Sequence, residues 1–204
     1  CVETIRAPRI SIIRIIGANQ NFLRSVIKPS KSLINSTIMY KKIQIKVINT
    51  GKETQTGGRL FRLKKYLGEQ KFMLTYGDGL ANININKLIN FHNKNKKMIT
   101  MTVVRPPARW GYVKIRGNKI RSFEEKNVKN EGWINGGFMV IDPIVLKQFK
   151  YSNKTNFEND ILTDVAKKNQ LNAFKHYKFW QCMDTLRDKI TLNKLCKKNP
   201  PWKI

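Results

Sequence analysis

An aspartate between two glycines is the side chain of this sequence with the clearest chemical potential. Asp78 follows the run 71–76, KFMLTY, and stands between Gly77 and Gly79. An apolar run of this length, bounded by turn residues, predicts a buried strand with the carboxylate at its end. Open α/β sheets bind ligands beyond the carboxyl ends of their strands, where an aspartate could hold a hard cation beside a phosphate. An aspartate in an ordinary turn would leave the same pattern, so both interpretations stay open on this motif alone.

A glycine-rich stretch, TGGR at 56–59, is the second place where the sequence could handle a phosphate. The period-two alternation of 43–47 predicts a strand before it, and three leucines at helical spacing after it predict an amphipathic helix that ends near Gly68. A strand, a glycine-rich turn and a helix together offer an anion free N–H groups, a positive helix dipole and close backbone approach. A plain tight turn at Gly57 and Gly58 fits the pattern equally well.

The last quarter of the chain repeats the first pattern. The apolar run 179–183, FWQCM, predicts a strand that delivers Asp184 just before a helix with Thr185 as its N-cap. A similar apolar run, 138–141, follows the stretch Asn135-Gly136-Gly137. These strand ends must meet at one edge of a sheet if their polar residues are to act together.

The remaining patterns predict the elements between these places. A helix is predicted from about Asn86, with His92 at the surface or at the boundary of the core. A further helix is predicted over 157–168, and no role is assigned to Glu158 within it. The two β runs within 112–123 predict a hairpin.

The length and charge of the chain limit the number of domains and the classes of partner that it can have. With 204 residues, 41% of them hydrophobic, the chain can bury one sizeable core, and we expect one domain. The formal net charge of +27 favours nucleic acid, but the basic residues are spread over the whole chain and no zinc module, aromatic RNP motif or long basic helix gathers them. We therefore predict a solvated lysine surface and no nucleic-acid partner, with polyanion binding as the alternative.

Cysteine usage and hydropathy indicate the compartment. The three cysteines, Cys1, Cys182 and Cys196, have no Cys-x-x-Cys spacing, which argues against a disulfide framework or a structural zinc site and fits a reducing compartment. No apolar run approaches membrane-spanning length, and the first residues lack the apolar segment of a signal peptide. We expect a cytoplasmic protein without a membrane partner.

From about residue 46 onward the chain resembles the sugar nucleotidyltransferases, and among them the glucose-1-phosphate cytidylyltransferases. The likeness falls in six blocks that keep the family's order. They are NTG at 49–51 with TGGRL at 56–60, YGDG at 76–79, RPPARWG at 105–111, SFEEK at 122–126, WINGGF at 133–138 and FWQCMDTLRD at 179–188. One block alone would be a weak sign of kinship, whereas six in one order are a strong one.

The resemblance implies both a fold and a reaction. The fold is α/β, a Rossmann-like nucleotidyltransferase fold with a mixed, mainly parallel sheet and a small sugar-binding β subregion between about 105 and 138. The reaction transfers a cytidylyl group from CTP to glucose 1-phosphate and gives CDP-glucose and pyrophosphate, as in nucleotide-sugar biosynthesis for lipopolysaccharide O-antigen. The alternatives are a related sugar-1-phosphate nucleotidyltransferase with another base or hexose, and a non-catalytic fragment that binds sugar or nucleotide. We also expect a homo-oligomer.

The resemblance implies roles for single residues as well. The catalytic set would be Asp78, Lys126 and Asp184, in which the two aspartates hold Mg²⁺ and the lysine neutralises the phosphate of the sugar. Glu125 would accept sugar hydroxyls. The other substrate-binding residues that the resemblance implies are Thr56, Gly57, Gly58, Arg59, Gly77, Arg109, Gly111, Asn135 and Gly136.

Residues 1–40 do not resemble the family. The isoleucine-rich run 10–16 fits either a strand or an irregular apolar patch, and neither the family's Gly-Gly-x-Gly-Thr-Arg-Leu loop nor its Lys-Pro-Lys-Pro segment is present. We predict an atypical segment, 1–40, before a nucleotidyltransferase domain, 41–204, in a sheet that lacks its first strand and helix. Because the chain begins with Cys, we expect a truncated or divergent N-terminal part. Because the loop is absent, we also expect impaired turnover.

Overall fold

The computed structural model of the chain describes residues 11–15, 37–40, 43–46, 48–106, 112–124 and 132–202. The strands in this part of the chain are β1 (Ser11–Ile15), β2 (Thr37–Tyr40), β3 (Ile43–Lys46), β4 (Phe72–Tyr76), β5 (Gly79–Ala81), β6 (Ile99–Val104), β7 (Tyr112–Arg116), β8 (Lys119–Glu124), β9 (Ile134–Ile141), β10 (Leu171–His176) and β11 (Trp180–Cys182). The helices are α1 (Thr56–Arg62), α2 (Lys64–Leu67), α3 (Ile85–Asn95), α4 (Val145–Gln148), α5 (Thr163–Lys167) and α6 (Leu186–Lys198). A π-helical turn, Phe157–Leu162, leads directly into α5.

Five strands form the main sheet in the order β1-β4-β9-β6-β10. β1 and β4 pair in parallel, as do β6 and β10, while β9 lies between these pairs and runs against its two neighbours. Four strands therefore share one direction and one opposes them. The predicted α/β fold with a mixed, mainly parallel sheet is confirmed.

Alternate residues of the central strands divide the core into two layers, because successive side chains of a strand point to opposite faces. In β4, Phe72 and Leu74 pack with α1, α2 and α4 on one face, and Met73 packs with Leu88 of α3 on the other. The predicted helix after residue 59 is interrupted at Leu63, which separates α1 from α2. All three of its predicted core leucines are buried: Leu60, Leu63 and Leu67.

The isoleucine-rich run of the N-terminal segment forms a strand. β1 pairs in parallel with β4, with Ser11 opposite Phe72 and Ile15 opposite Tyr76. β-Branched residues favour the extended backbone, which explains why the isoleucine-rich run forms a strand and not an irregular apolar patch. The expectation that the sheet lacks a strand in this place is therefore wrong. The remainder of the predicted atypical segment, 1–10 and 16–36, lies outside the described residues.

The predicted hairpin within 112–123 is confirmed. β7 and β8 pair antiparallel, with Arg116 opposite Lys119, so that Gly117 and Asn118 form a two-residue turn. Gly117 has φ +59°, a conformation that glycine adopts without steric penalty. In the described part of the chain, none of the helices combines the length and the apolar character that crossing a bilayer requires.

His92 is a core residue, and the expectation that it lies at the surface or boundary is wrong. Its side chain on α3 is 0% exposed, and its Nδ1 lies 2.9 Å from Thr100 Oγ1 on β6. It stands one turn after the buried Leu88, on the inward face of the helix. Burial, followed by the nearby charge of Lys71, lowers the pKa of His92 to about 4, while Asp142 acts in the opposite sense.

We expect this histidine to make the protein less stable in mild acid. The unfolded side chain takes up a proton near pH 6.5 and the folded one near pH 4, so the unfolded state binds more protons between these values. The free energy of unfolding should fall as the pH drops, by about 2 to 3 kcal/mol at pH 4.5 from this group. Urea unfolding at pH 7 and pH 4.5 measures the loss on the native chain and on His92→Asn, which keeps a hydrogen-bonding group for Thr100.

The chain contains two histidines, so His176→Asn is a matched control. Acid should weaken this control as much as the native chain and His92→Asn clearly less, because carboxylates titrate alike in all three proteins. Equal sensitivity of the three proteins would show that His92 does not titrate as its burial demands.

Candidate active site

The candidate site lies at the edge of the sheet where the parallel strands end. β4 ends at Tyr76 and leads into Gly77 and Asp78, and β9, which runs the other way, brings Asn135 to the same edge. Open α/β sheets bind ligands at this edge. A cavity lies here, and its lining residues are Thr56, Leu74, Tyr76, Gly77, Asp78, Phe157 and Glu158.

A short two-stranded sheet joins the two segments that carry the predicted metal aspartates. β11 pairs antiparallel with β5, with Cys182 opposite Gly79, and the N–H of Met183 donates to the carbonyl of Asp78 at 3.0 Å. Asp184 is the next residue, so the two aspartate-bearing segments lie side by side where β5 begins and β11 ends. Both side chains are exposed. Their role as metal ligands stays a prediction.

Three contacts fix the segment that carries Asp184. The indole N–H of Trp180 donates to the carbonyl of Gly136 at 2.9 Å, which ties β11 to β9. The Cys182 thiol donates to the Asp184 carboxylate at 3.0 Å. Thr185 caps α6 in a reciprocal capping box, as predicted. Asp184 therefore lies between β11, which is bonded to β9, and the capped N-terminus of α6.

The donor set at this edge fits magnesium. Mg²⁺ prefers oxygen ligands, retains water and takes few carboxylates from a protein, so two exposed aspartates suit it. The described residues contain no group of three or more His, Cys, Asp or Glu side chains that could hold a metal. Water and substrate phosphates would therefore have to complete the coordination of a cation held by Asp78 and Asp184.

Glu158 is a site residue to which the sequence assigned no role. Its Oε1 accepts the hydroxyl of Tyr76 and its Oε2 accepts the hydroxyl of Thr56, each at 2.7 Å. The Thr56 oxygen in turn accepts the N–H of Phe157 at 2.9 Å. Tyr76 and Thr56 are 82 and 102 residues away from Glu158, so no local pattern could reveal the cluster. The one available signal was the family's pattern of an aromatic residue before a glutamate, which Phe157 and Glu158 match.

The Tyr76 hydroxyl also joins this cluster to Asn135. Asn135 Nδ2 donates to the tyrosine oxygen at 3.1 Å, and Asn135 Oδ1 accepts the N–H of Gly137 at 2.9 Å. Burial, followed by the hydrogen bond to Glu158, raises the pKa of Tyr76 above its ordinary value, so the hydroxyl keeps its proton. Both ends of the Asn135 amide thus contact protein groups, and the predicted contact of Asn135 and Gly136 with a hexose stays a prediction.

Gly57 and Gly58 lie in the first turn of α1 and not in a turn before a helix, so that prediction is wrong. They are buried because a neighbouring loop crosses them closely: a Cβ at Gly58 would lie 2.6 Å from the carbonyl oxygen of Ser152. The N–H of Gly58 donates to the carbonyl of Thr155 at 3.1 Å, so this donor is already engaged. The glycines permit close packing of two segments, and their predicted contact with substrate stays a prediction.

Arg59 braces the loop that precedes α1. Its guanidinium donates to the Thr50 hydroxyl at 2.7 Å and to the carbonyl of Lys52 at 3.1 Å. Arg62 donates to the carbonyl of Thr50 at 2.8 Å. The two arginines thus hold this loop against the helix, and Arg59 is not among the residues that line the cavity.

Four further predicted site residues lie outside the described residues: Arg109, Gly111, Glu125 and Lys126. The structure describes the elements that lead to them, since β8 ends at Glu124 and the chain after β6 is described as far as Pro106. The roles of these four residues stay predictions.

The fold and this edge point to one class of protein. Residues 11–195 match the sequence model of the nucleotidyl transferase family, and the chain belongs to that family. The resemblance found in the six blocks is confirmed, and the match reaches back to β1, ahead of the first block.

The relatives within the family are more specific. The glucose-1-phosphate cytidylyltransferase of Salmonella typhimurium is 39% identical over 171 residues, a match that covers 81% of this chain and 66% of that protein. The glucose-1-phosphate cytidylyltransferase of Salmonella typhi gives the same identity and coverage. The match therefore spans just under two thirds of the length of these relatives.

Solved structures share the fold. HddC from Yersinia pseudotuberculosis superimposes with a TM-score of 0.57 at 20% identity, over 92% of this chain and 77% of that one. The inositol-1-phosphate CTP transferase from T. maritima gives a TM-score of 0.52 at 15% identity, over 92% of this chain and 77% of that one. At these identities the likeness concerns the fold alone.

Proposed function

We propose that the protein is a sugar-1-phosphate nucleotidyltransferase that joins CTP and glucose 1-phosphate into CDP-glucose and releases pyrophosphate. The observation that supports this most is the meeting of two aspartate-bearing segments, through Met183 and Asp78, beside a cavity that also contains Glu158. The choice of CTP and glucose 1-phosphate rests on the 39% identity to the two cytidylyltransferases.

In this reaction a phosphate oxygen of the sugar attacks the α-phosphorus of CTP, a new O–P bond forms, and the bond to the β-phosphate breaks. Asp78 and Asp184 would hold Mg²⁺, which supplies positive charge to the phosphates when bound. Lys126 would neutralise the phosphate of the sugar, and Glu125 would accept its hydroxyls. No enzyme nucleophile is required, because positioning and electrostatics supply most of such catalysis.

Glu158 adds an acceptor for the sugar to this set. Each of its carboxylate oxygens receives one hydroxyl donor from the protein and retains a further lone pair. Hexose hydroxyls can donate to these positions, whereas a phosphate would be repelled by the like charge. We therefore place the hexose ring, and not its phosphate, beside Glu158.

Calorimetric titration tests this function on the chain as it stands. With Mg²⁺ present, glucose 1-phosphate should bind saturably, and mannose 1-phosphate at least about 10-fold more weakly, because a site built to hydrogen-bond a hydroxyl rejects one in the wrong place. CTP should bind more tightly than GTP. The opposite ranking in either pair would favour an enzyme with another base or hexose.

A salt titration with random-sequence DNA separates the remaining alternative. A chain of net charge +27 will bind DNA at low salt, and this binding should weaken steeply as salt rises because it depends on counterion release. Glucose 1-phosphate binding should survive the same salt. DNA binding that stays tight at physiological salt, without binding of sugar phosphate, would favour a polyanion-binding protein.

A further inference from the structure

Tyr76 connects three elements of the site, although the sequence assigns it no role beyond its place in the block YGDG at 76–79. It is the last residue of β4, its hydroxyl donates to Glu158 on the π-helical turn at 2.7 Å, and it accepts from Asn135 on β9 at 3.1 Å. Its side chain thus contacts a strand and a helical turn at once. The position of Glu158 therefore depends on where the tyrosine ring lies.

The hydrogen bonds of this cluster can run in only one direction. The oxygen of Asn135 is taken by the N–H of Gly137, so its NH₂ group faces the tyrosine and the tyrosine oxygen must accept. The single proton of Tyr76 then goes to Glu158. The oxygen of Thr56 likewise accepts the N–H of Phe157 and directs its own proton to the same carboxylate. A carboxylate whose two oxygens each accept a hydrogen bond from a different side chain is held in one orientation.

The two glycines after Asn135 permit close packing, and Gly137 makes room for the tyrosine ring. Gly137 has φ +87°, and a Cβ there would lie 2.8 Å from Cδ2 of Tyr76. A Cβ at Gly136 would lie 2.9 Å from a methyl carbon of Val104, so that the strand itself could not approach β6 as closely. Any side chain at position 137 would displace the ring from its present place, where its hydroxyl reaches Glu158.

We propose that Tyr76, seated on Gly137 and oriented by Asn135, is a positioning residue that sets the geometry of Glu158 and thereby the affinity for the sugar. This inference rests on the proposed function, because it assigns Glu158 to the hexose. In it, the stretch 135–137 acts on the sugar through Tyr76 and Glu158. Tyr76 also lines the cavity, but the role assigned to it here is to orient Glu158.

Tyr76→Phe is the variant that tests the inference, because it keeps the ring and removes only the hydroxyl. Calorimetry on the 204-residue chain should show glucose 1-phosphate binding about 10-fold more weakly, since Glu158 loses one of two donors, while the affinity for CTP changes less than about 2-fold. Tyr151→Phe is the matched control: Tyr151 is also half-buried and donates one hydrogen bond, to the carbonyl of Val145 at 2.9 Å, away from the cavity lining. It should bind both ligands as the native chain does.

A double variant shows whether Tyr76 acts through Glu158. Glu158→Ala should itself weaken glucose 1-phosphate binding, and adding Tyr76→Phe should weaken it by less than about 2-fold more, because the tyrosine then has no side-chain acceptor to orient. If the double variant loses affinity for glucose 1-phosphate by the product of the two single losses, the inference is overturned. Gly137→Ala should reproduce the selective loss of sugar affinity, and if that variant does not fold, the Tyr76→Phe result decides alone.

Binding of glucose 1-phosphate by the native chain and by the Tyr76→Phe variant distinguishes failure of this inference from failure of the proposed function. A native chain that binds glucose 1-phosphate, with a Tyr76→Phe variant of equal affinity, would overturn the positioning role and leave the function standing. A native chain that binds no hexose 1-phosphate at millimolar concentration would overturn both.

Discussion

Asp78→Asn is expected to lower kcat for nucleotidyl transfer by about three orders of magnitude, which corresponds to about 4 kcal/mol of transition-state stabilisation. Asparagine keeps the size of the side chain and removes the charge that would hold the cation against the phosphates. Asp184→Asn should lower kcat by a similar factor, because we propose that the two aspartates, on segments joined by the pairing of β5 with β11, hold the same ion. The measurement is the initial rate of pyrophosphate release with saturating CTP and glucose 1-phosphate.

Two comparisons make this prediction specific to a shared metal ion. Asp164→Asn is the control, because Asp164 forms an i,i+4 pair with Lys168 on the surface and such pairs contribute little to stability. Its kcat should equal that of the native chain. The double variant of Asp78 and Asp184 should be hardly slower than either single one, since removing one ligand already releases the ion. Direct titration with Mn²⁺ should show weaker binding in each single variant, and unchanged Mn²⁺ affinity would contradict the assignment.

The strand-end aspartates could be predicted from the sequence because the patterns that mark them are local. An apolar run that stops at Gly-Asp-Gly needs only a few residues to be recognised, and β4 ends at Tyr76 as that run predicts. The helix leucines and the hairpin turn at Gly117 follow from spacing and from backbone conformation in the same way. That Asp78 and Asp184 share one ion is predicted from the family likeness, since no local pattern joins two residues so far apart in the sequence.

The features that sequence analysis missed depend on what lies across the fold. The sequence pattern around His92 does not show whether its face of the helix is covered. His92 is a core residue because β6, with Thr100, packs against that face. Gly58 looks like a turn residue until the carbonyl of Ser152 lies against it. Glu158 was assigned no role because its two donors belong to distant elements. Local patterns thus predict which residues a strand end presents, while the partners of those residues depend on the tertiary fold.

The second large effect concerns the part of the nucleotide site that the N-terminal segment would supply. We expect the 204-residue chain to release pyrophosphate at least ~10²- to 10³-fold more slowly than a chimaera in which a family segment with a Gly-Gly-x-Gly-Thr-Arg-Leu loop replaces residues 1–40. No such loop occurs in residues 1–40. Loss of a single preorganised donor for developing charge lowers a rate by about that factor, and the loop would bring several N–H donors for the triphosphate.

The strand β1 makes this comparison informative. Because Ser11–Ile15 already pairs in parallel with β4, the native chain and the chimaera would both have a strand beside β4, so a missing strand would not account for a difference in rate. Glucose 1-phosphate should bind both proteins with equal affinity, since its proposed contacts come after residue 40, whereas CTP should bind the chimaera more tightly. Comparable turnover by the two proteins would contradict the prediction. It would mean that residues 1–40 supply the N–H donors for the triphosphate through a different sequence.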